Sequence, residues 1–174
     1  MAETPTLSLC MIVKNEEAFV GQAISSVLSV VSEIIVVDTG STDKTIEIAK
    51  SLGARVYSQE WSDDFSAARN FSISKAKGDW ILVLDADETI AAKDLETLRV
   101  SLADPTICWE MTQRHYSNDY RLSDYSPKTG EYPDEEKNYE GYFSSSLVRL
   151  FPNKAGVHYK GRVHELAEHS IYCI

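Results

Sequence analysis

Four short apolar runs, each followed by a stretch with helical periodicity, constrain the fold of this chain more than any other feature. Leu7 to Val13 is an apolar run that suits a buried strand. Val20, Ala23, Ile24, Val27, Leu28 and Val31 then recur at three and four, which gives a helix one apolar face. Ile34 to Val37 is a β-branched run that ends at Asp38. Gly40-Ser41-Thr42 carries turn and N-cap chemistry ahead of a helix expected from about Asp43 to Leu52, with Gly53 as its stop. Arg55 to Tyr57 is a short third strand. Phe65, Ala68 and Phe71 open a third helical face that Gly78 closes. Trp80 to Leu84 is the strongest strand pattern in the chain, and Leu95, Leu98 and Leu102 mark a fourth helix stopped by Asp104-Pro105. Four β-then-α units in series predict an α/β fold, a parallel sheet with helices on its faces.

The pattern changes after Pro105. Ile107 to His115 and Ser146 to Phe151 read as strands with no strong helix between them. Ser117 to Glu140 reads as a long polar loop holding four of the nine tyrosines. At 174 residues one domain spanning 1–174 is expected, with a βα core over 7–104 followed by the segment 105–174. The formal charge of -10 argues against nucleic acid or an anionic membrane as the main partner. It permits divalent cations, and it requires any anionic ligand to be held by local bases, a helix N-terminus or a metal. The longest stretch without an acid, Lys or Arg, Ala18 to Ser32, falls short of the ~20 apolar residues of a spanning helix, so no membrane span is expected. Met1-Ala2-Glu3-Thr4-Pro5 does not begin a secretory signal. Cys10, Cys108 and Cys173 have no paired spacing and read as buried thiols of a reduced, cytoplasmic protein.

Leu84-Asp85-Ala86-Asp87-Glu88 is the most informative segment. Residues two apart in extended chain point the same way, so Asp85 and Asp87 can present both carboxylates to one point. That point lies beyond the carboxyl end of a strand, where open α/β sheets bind ligands. Two adjacent carboxylates repel, a cation between them relieves the repulsion, and all-oxygen ligands suit Mg²⁺ or Mn²⁺. The bland alternative is that these acids end a strand and cap the next helix. Asp38 ends another strand. It is placed either to accept from a nucleobase N–H or to satisfy the donors of its own turn. Lys14-Asn15-Glu16-Glu17 ends a third.

These segments resemble the nucleotide-sugar half of a family 2 inverting glycosyltransferase of the GT-A fold. The resemblance is carried by Leu9 to Glu17, Ile35 to Thr45, Phe65-Ser66-Ala67-Ala68-Arg69-Asn70 and Leu82 to Glu88, in order and at familiar spacings. It implies a Rossmann-like, mostly parallel sheet, a UDP- or GDP-sugar donor, Mg²⁺ or Mn²⁺, and transfer with inversion. Position by position, Val13, Asn15 and Glu16 would line the base and ribose pocket, and Asp38 would accept from the base. Arg69 would lie near the nucleotide and its phosphates. Asp85 would contact ribose or metal-bound water, and Asp87 would ligate the metal. Gly161-Arg162-Val163-His164-Glu165 offers His164 as a closing metal or diphosphate ligand and Glu165 as the base. Residues 105–174 would then form the side facing a saccharide, lipid or protein acceptor. The chain breaks off in apolar sequence at Ile171-Tyr172-Cys173-Ile174, which suggests completion by a further domain, a partner or self-association.

Asp63-Asp64 is expected to cap the helix starting near Phe65. Trp61, Trp80 and Trp109 read as core or sugar-stacking residues, and His115, His158 and His169 as ordinary ones. Two rival readings follow from the same residues. A nucleotide-sugar-binding module without activity would bind donor and transfer nothing. A haloacid-dehalogenase-type phosphatase would use Asp85 as nucleophile and Asp87 as acid and base, but that motif belongs on a first strand and here follows the fourth.

Overall fold

The structure, a computed structural model, describes residues 4–153 and 156–171. The first three residues and Cys173 lie outside the described residues. The chain divides into two compact units, one made of the residues up to Trp109 together with those from Val148 on, the other of Glu110–Leu147.

The first unit follows the βα series. Its elements are β1 (Leu7–Val13), α1 (Val20–Val27), β2 (Glu33–Asp38), α2 (Thr45–Ser51), β3 (Arg55–Ser58), α3 (Phe65–Lys75), β4 (Trp80–Val83), a 3-10 turn (Ala92–Asp94) and α4 (Leu95–Ser101). The strand order is β3-β2-β1-β4, and all three pairings are parallel: Val36 lies opposite Val56, Cys10 opposite Ile35, and Leu9 opposite Leu82. The last residues of β7 (Gly141–Pro152) pair antiparallel with β4, Leu82 opposite Leu150. Burial explains the uninterrupted apolar runs. β1, β2 and β4 are almost wholly buried, as strands covered on both faces require. Cys10, Ile35, Ile81, Val83, Phe151, Tyr159 and Ala167 form a core cluster. α1 turns Val20, Ala23, Ile24 and Val27 inward.

Helix boundaries differ from the periodic pattern by a turn. α1 ends at Val27, and Leu28 is exposed, because the chain must return for Ser32 N–H to bond Leu7 O at 2.8 Å. α2 begins at Thr45, where Asp43 Oδ1 accepts from Thr45 N–H at 3.0 Å. Asp64 caps α3 as expected, accepting from Ala67 N–H at 3.0 Å. Trp80 is core, whereas Trp109 is partly exposed.

The second unit holds β5 (Trp109–Ser117) from Glu110 on, β6 (Ser126–Pro127), α5 (Pro133–Glu136) and the first half of β7, with Ser126 of β6 opposite Tyr142. Its expected long loop is pinned from within. Arg114 lies 4.4 Å from the Tyr132 ring and 4.5 Å from the Tyr142 ring, and pairs with Glu131 and Glu136. The buried Glu136 accepts from Gly130 N–H at 2.6 Å.

Candidate active site

The carboxyl ends of β1, β2 and β4 carry the polar residues of the first unit. Asp38 is the last residue of β2 and only 4% exposed. Its carboxylate accepts from Gly40 N–H at 3.1 Å and Ser41 N–H at 3.2 Å, closing a turn in which Gly40 has φ +111°. An open pocket of about 470 Å³ adjoins it, with Gln59, Glu60 and Trp61 in its wall. Gln59 Oε1 is buried without a hydrogen-bond partner among the described residues.

The loop after β1 is stitched to the loop after β2. Asn15, at φ 57°, accepts from Thr42 N–H through Oδ1 at 2.8 Å, and its own N–H donates to Ser41 Oγ at 2.9 Å. Glu16 N–H donates to Thr45 Oγ1 at 2.7 Å, and Lys44 N–H to Glu17 Oε2 at 2.9 Å. Val13 is buried and receives Thr39 N–H on its carbonyl at 3.0 Å. Burial pushes the Glu16 carboxyl up, helped by the negative charges of Asp87, Asp43 and Asp85, which places these acids in one electrostatic neighbourhood.

β4 delivers Asp85 and Asp87 into different surroundings. Asp85 Oδ1 accepts from Arg69 Nη2 at 2.7 Å, and Oδ2 from Arg149 Nη2 at 2.9 Å. Burial raises the Asp85 carboxyl, but the two guanidinium groups outweigh it and hold it below the usual range. The same Arg149 nitrogen reaches Glu88 Oε1 at 3.0 Å, and Glu88 Oε2 accepts from Asp85 N–H at 2.9 Å. Burial and the charge of Asp85 raise the Glu88 carboxyl. Asp87 is exposed and makes no hydrogen bond or ion pair among the described residues.

Arg69 sits on the inward face of α3 and is 7% exposed. Its Nε donates to Glu165 Oε1 at 2.5 Å, and its guanidinium lies 5.5 Å from the Tyr159 ring centre. Asn70 holds Tyr159 by both backbone groups, at 2.9 and 2.8 Å. Lys160 and Leu166 exchange two backbone bonds of 3.0 Å, closing the turn that contains His164 at φ 56°. His164 is exposed and has no hydrogen-bond partner among the described residues.

The structure therefore joins Asp85, Arg69 and Glu165 in one ion-pair network. Among the described residues it does not gather Asp85, Asp87 and His164 into a three-ligand metal cluster. Sequence reasoning missed Arg149, Glu88 and Tyr159. The available signal for Arg149 was a lone charge inside Leu147-Val148-Arg149-Leu150-Phe151. A phosphatase nucleophile at Asp85 fits poorly, since both its oxygens are engaged by buried arginines.

A parallel βα sheet with acids and a buried arginine at its carboxyl rim places the chain in the open-sheet α/β class, whose members bind ligands at that rim. The model of glycosyl transferase family 2 matches residues 8–159, and the chain belongs to that family. A TPR repeat-containing protein of Synechococcus elongatus is 38% identical over 97% of this chain and 37% of its own length. The glycosyltransferase SunS of Bacillus subtilis is 30% identical over 94% of this chain and 35% of its own. This chain thus spans about a third of the length of these relatives. Glucosyl-3-phosphoglycerate synthase of Mycobacterium tuberculosis, solved with Mn²⁺ and UDP, is 27% identical with a TM-score of 0.50 over 60% of this chain and 42% of that one. TarS of S. aureus, at 15% identity, shares the fold with a TM-score of 0.58 over 89% of this chain and 50% of that one.

Proposed function

We propose that this chain is the donor-binding part of an inverting, metal-dependent glycosyltransferase that takes a UDP- or GDP-sugar. The observation that carries the proposal is the split carboxylate pair at the end of β4, where Asp85 is engaged by arginines and Asp87 is exposed and without a hydrogen bond or ion pair among the described residues. Mg²⁺ or Mn²⁺ is commonly held by one or two carboxylates together with substrate phosphates, so Asp87 with a donor diphosphate fits such an ion. Bound there, the ion would stabilise the charge of the leaving diphosphate as a Lewis acid. His164 is the further candidate ligand. Arg69 has a buried Nη1 without a hydrogen-bond partner among the described residues, a donor suited to a phosphate oxygen. Asp38, Gln59 and Trp61 offer two acceptors and an aromatic wall to a nucleobase, with Val13 at the end of β1 and Asn15 and Glu16 on the loop that follows it. Glu165 accepts the Arg69 hydrogen bond through Oε1 and is the candidate base for an acceptor hydroxyl, amide or thiol. The Mn²⁺- and UDP-bound relative supports this reading. No helix among the described residues is long and apolar enough to cross a membrane.

The test is thermal stability with UDP or GDP, with and without Mn²⁺. At a hundred times Kd the gain is about 2.7 kcal/mol, which for a domain of this size is about 5–10 °C. No shift with any nucleoside diphosphate, with or without metal, refutes the reading. Binding without donor turnover identifies a binding module instead.

A further inference from the structure

Arg149 is an anomaly of β7. Its neighbours Leu150 and Phe151 are core residues 1% exposed, and Arg149 is itself only 6% exposed. Burying a guanidinium is costly even when paired, and apolar replacements of buried ion pairs are often neutral or stabilising. Stability alone is therefore a weak reason for an arginine at this position. Its geometry supplies another. One nitrogen, Nη2, bonds Asp85 Oδ2 and Glu88 Oε1 at 2.9 and 3.0 Å. Asp85 is thereby fixed at one oxygen and hands the other to Arg69. Arg69 is fixed by Asp85 at Nη2, by Glu165 at Nε and by the Tyr159 ring, which leaves Nη1 as its buried donor without a hydrogen-bond partner among the described residues.

We infer that Arg149 is a positioning residue, which acts through Asp85 to aim the Nη1 of Arg69. The inference rests on the donor-binding reading given above.

The experiment uses Arg149→Met, Arg149→Lys, Asp85→Asn and the Asp85→Asn/Arg149→Met double variant. The first readout is the Arg69 Nε–H resonance in metal-free, nucleotide-free protein. Arg149→Met and Asp85→Asn should both shift it and speed its exchange with solvent. Lysine keeps the charge but carries it on a compact, flexible ammonium rather than a rigid planar guanidinium, so Arg149→Lys should give a smaller shift in the same direction. It also serves if the methionine variant does not fold. The second readout is calorimetric affinity for UDP with Mn²⁺, or for GDP where UDP gives no thermal shift. Arg149→Met should weaken it tenfold or more, Arg149→Lys less, and Arg149→Met should add less than twofold in the Asp85→Asn background. An Arg69 resonance unmoved in folded Arg149→Met or Arg149→Lys overturns the inference, as does a fully additive double variant. If the wild-type chain binds no nucleoside diphosphate, the donor-binding reading fails. The Arg69 resonance then decides separately whether Arg149 acts through Asp85.

Discussion

Replacing Asp85 by asparagine removes the shared anion of two buried arginines and keeps the side-chain shape. In the folded protein Arg69, Arg149, Asp85, Glu88 and Glu165 form one cluster of two positive and three negative groups. Asp85→Asn loses two charge-assisted hydrogen bonds, each worth about 1.5–3 kcal/mol. Three effects reduce the loss. The amide oxygen still accepts one of the two bonds, Arg69 keeps Glu165 and Arg149 keeps Glu88, and Glu88 no longer faces a neighbouring negative charge. The net cost at pH 7 is then about 2–3 kcal/mol, below the 3–5 kcal/mol of a buried charge left wholly unpaired. Urea unfolding with EDTA present, followed by tryptophan fluorescence, measures it, and the corresponding fall in Tm is about 4–12 °C. The pH dependence gives the sign. The folded Asp85 carboxyl is held below its unfolded value near 3.9, so its stabilisation is complete above that pH and is lost as pH falls through the folded value. The gap between wild type and Asp85→Asn should therefore close on acidification. Equal stability at pH 7, or a gap at pH 3 as wide as at pH 7, refutes the reasoning.

Two further outcomes test the core. A Cβ on Gly78 would lie 2.6 Å from Ser8 Oγ and 3.0 Å from Ser8 N, so Gly78→Ala should destabilise by about 1–3 kcal/mol in urea unfolding. Burial pushes the Cys10 thiol up to about 12, although a Ser72 hydrogen bond pulls the other way. In a Cys108→Ser/Cys173→Ser background, Cys10 should react with a disulfide reagent only on unfolding, and fast labelling of native protein would contradict its burial.

The βα half of the fold was legible because each buried strand is an apolar run closed by a turn residue, and each helix carries one apolar stripe. Local signals of that kind also gave the Asp64 cap. What escaped was set by partners distant in sequence. β7 begins at Gly141, ahead of the expected Ser146, because Ser126 and Tyr142 pair and Phe143 stacks on His115 with ring centres 4.6 Å apart. No local propensity marks Ser144-Ser145 as strand. β5 likewise starts at Trp109 and runs on to Ser117. At the site, Asp38 and Asp85 could be picked by type and position, and Arg69 through the family resemblance, but their bonds could not. Whether Asp38 serves its own turn depends on where Gly40 and Ser41 point their N–H groups. That Asp85 meets two arginines depends on Arg149, 64 residues away.

The stitching of the Asn15–Glu17 loop to the Ser41–Thr45 loop also bears on how fast a ligand can settle. These loops hold each other through side-chain bonds to backbone groups, so their conformational freedom is already spent before anything arrives. Freezing a mobile side chain at an interface costs about 0.5–1.5 kcal/mol, and here few such rotors remain. A donor bound at this rim, as proposed, would then associate at a rate set by diffusive encounter rather than by loop closure, and discrimination between donors would fall to how quickly each one leaves.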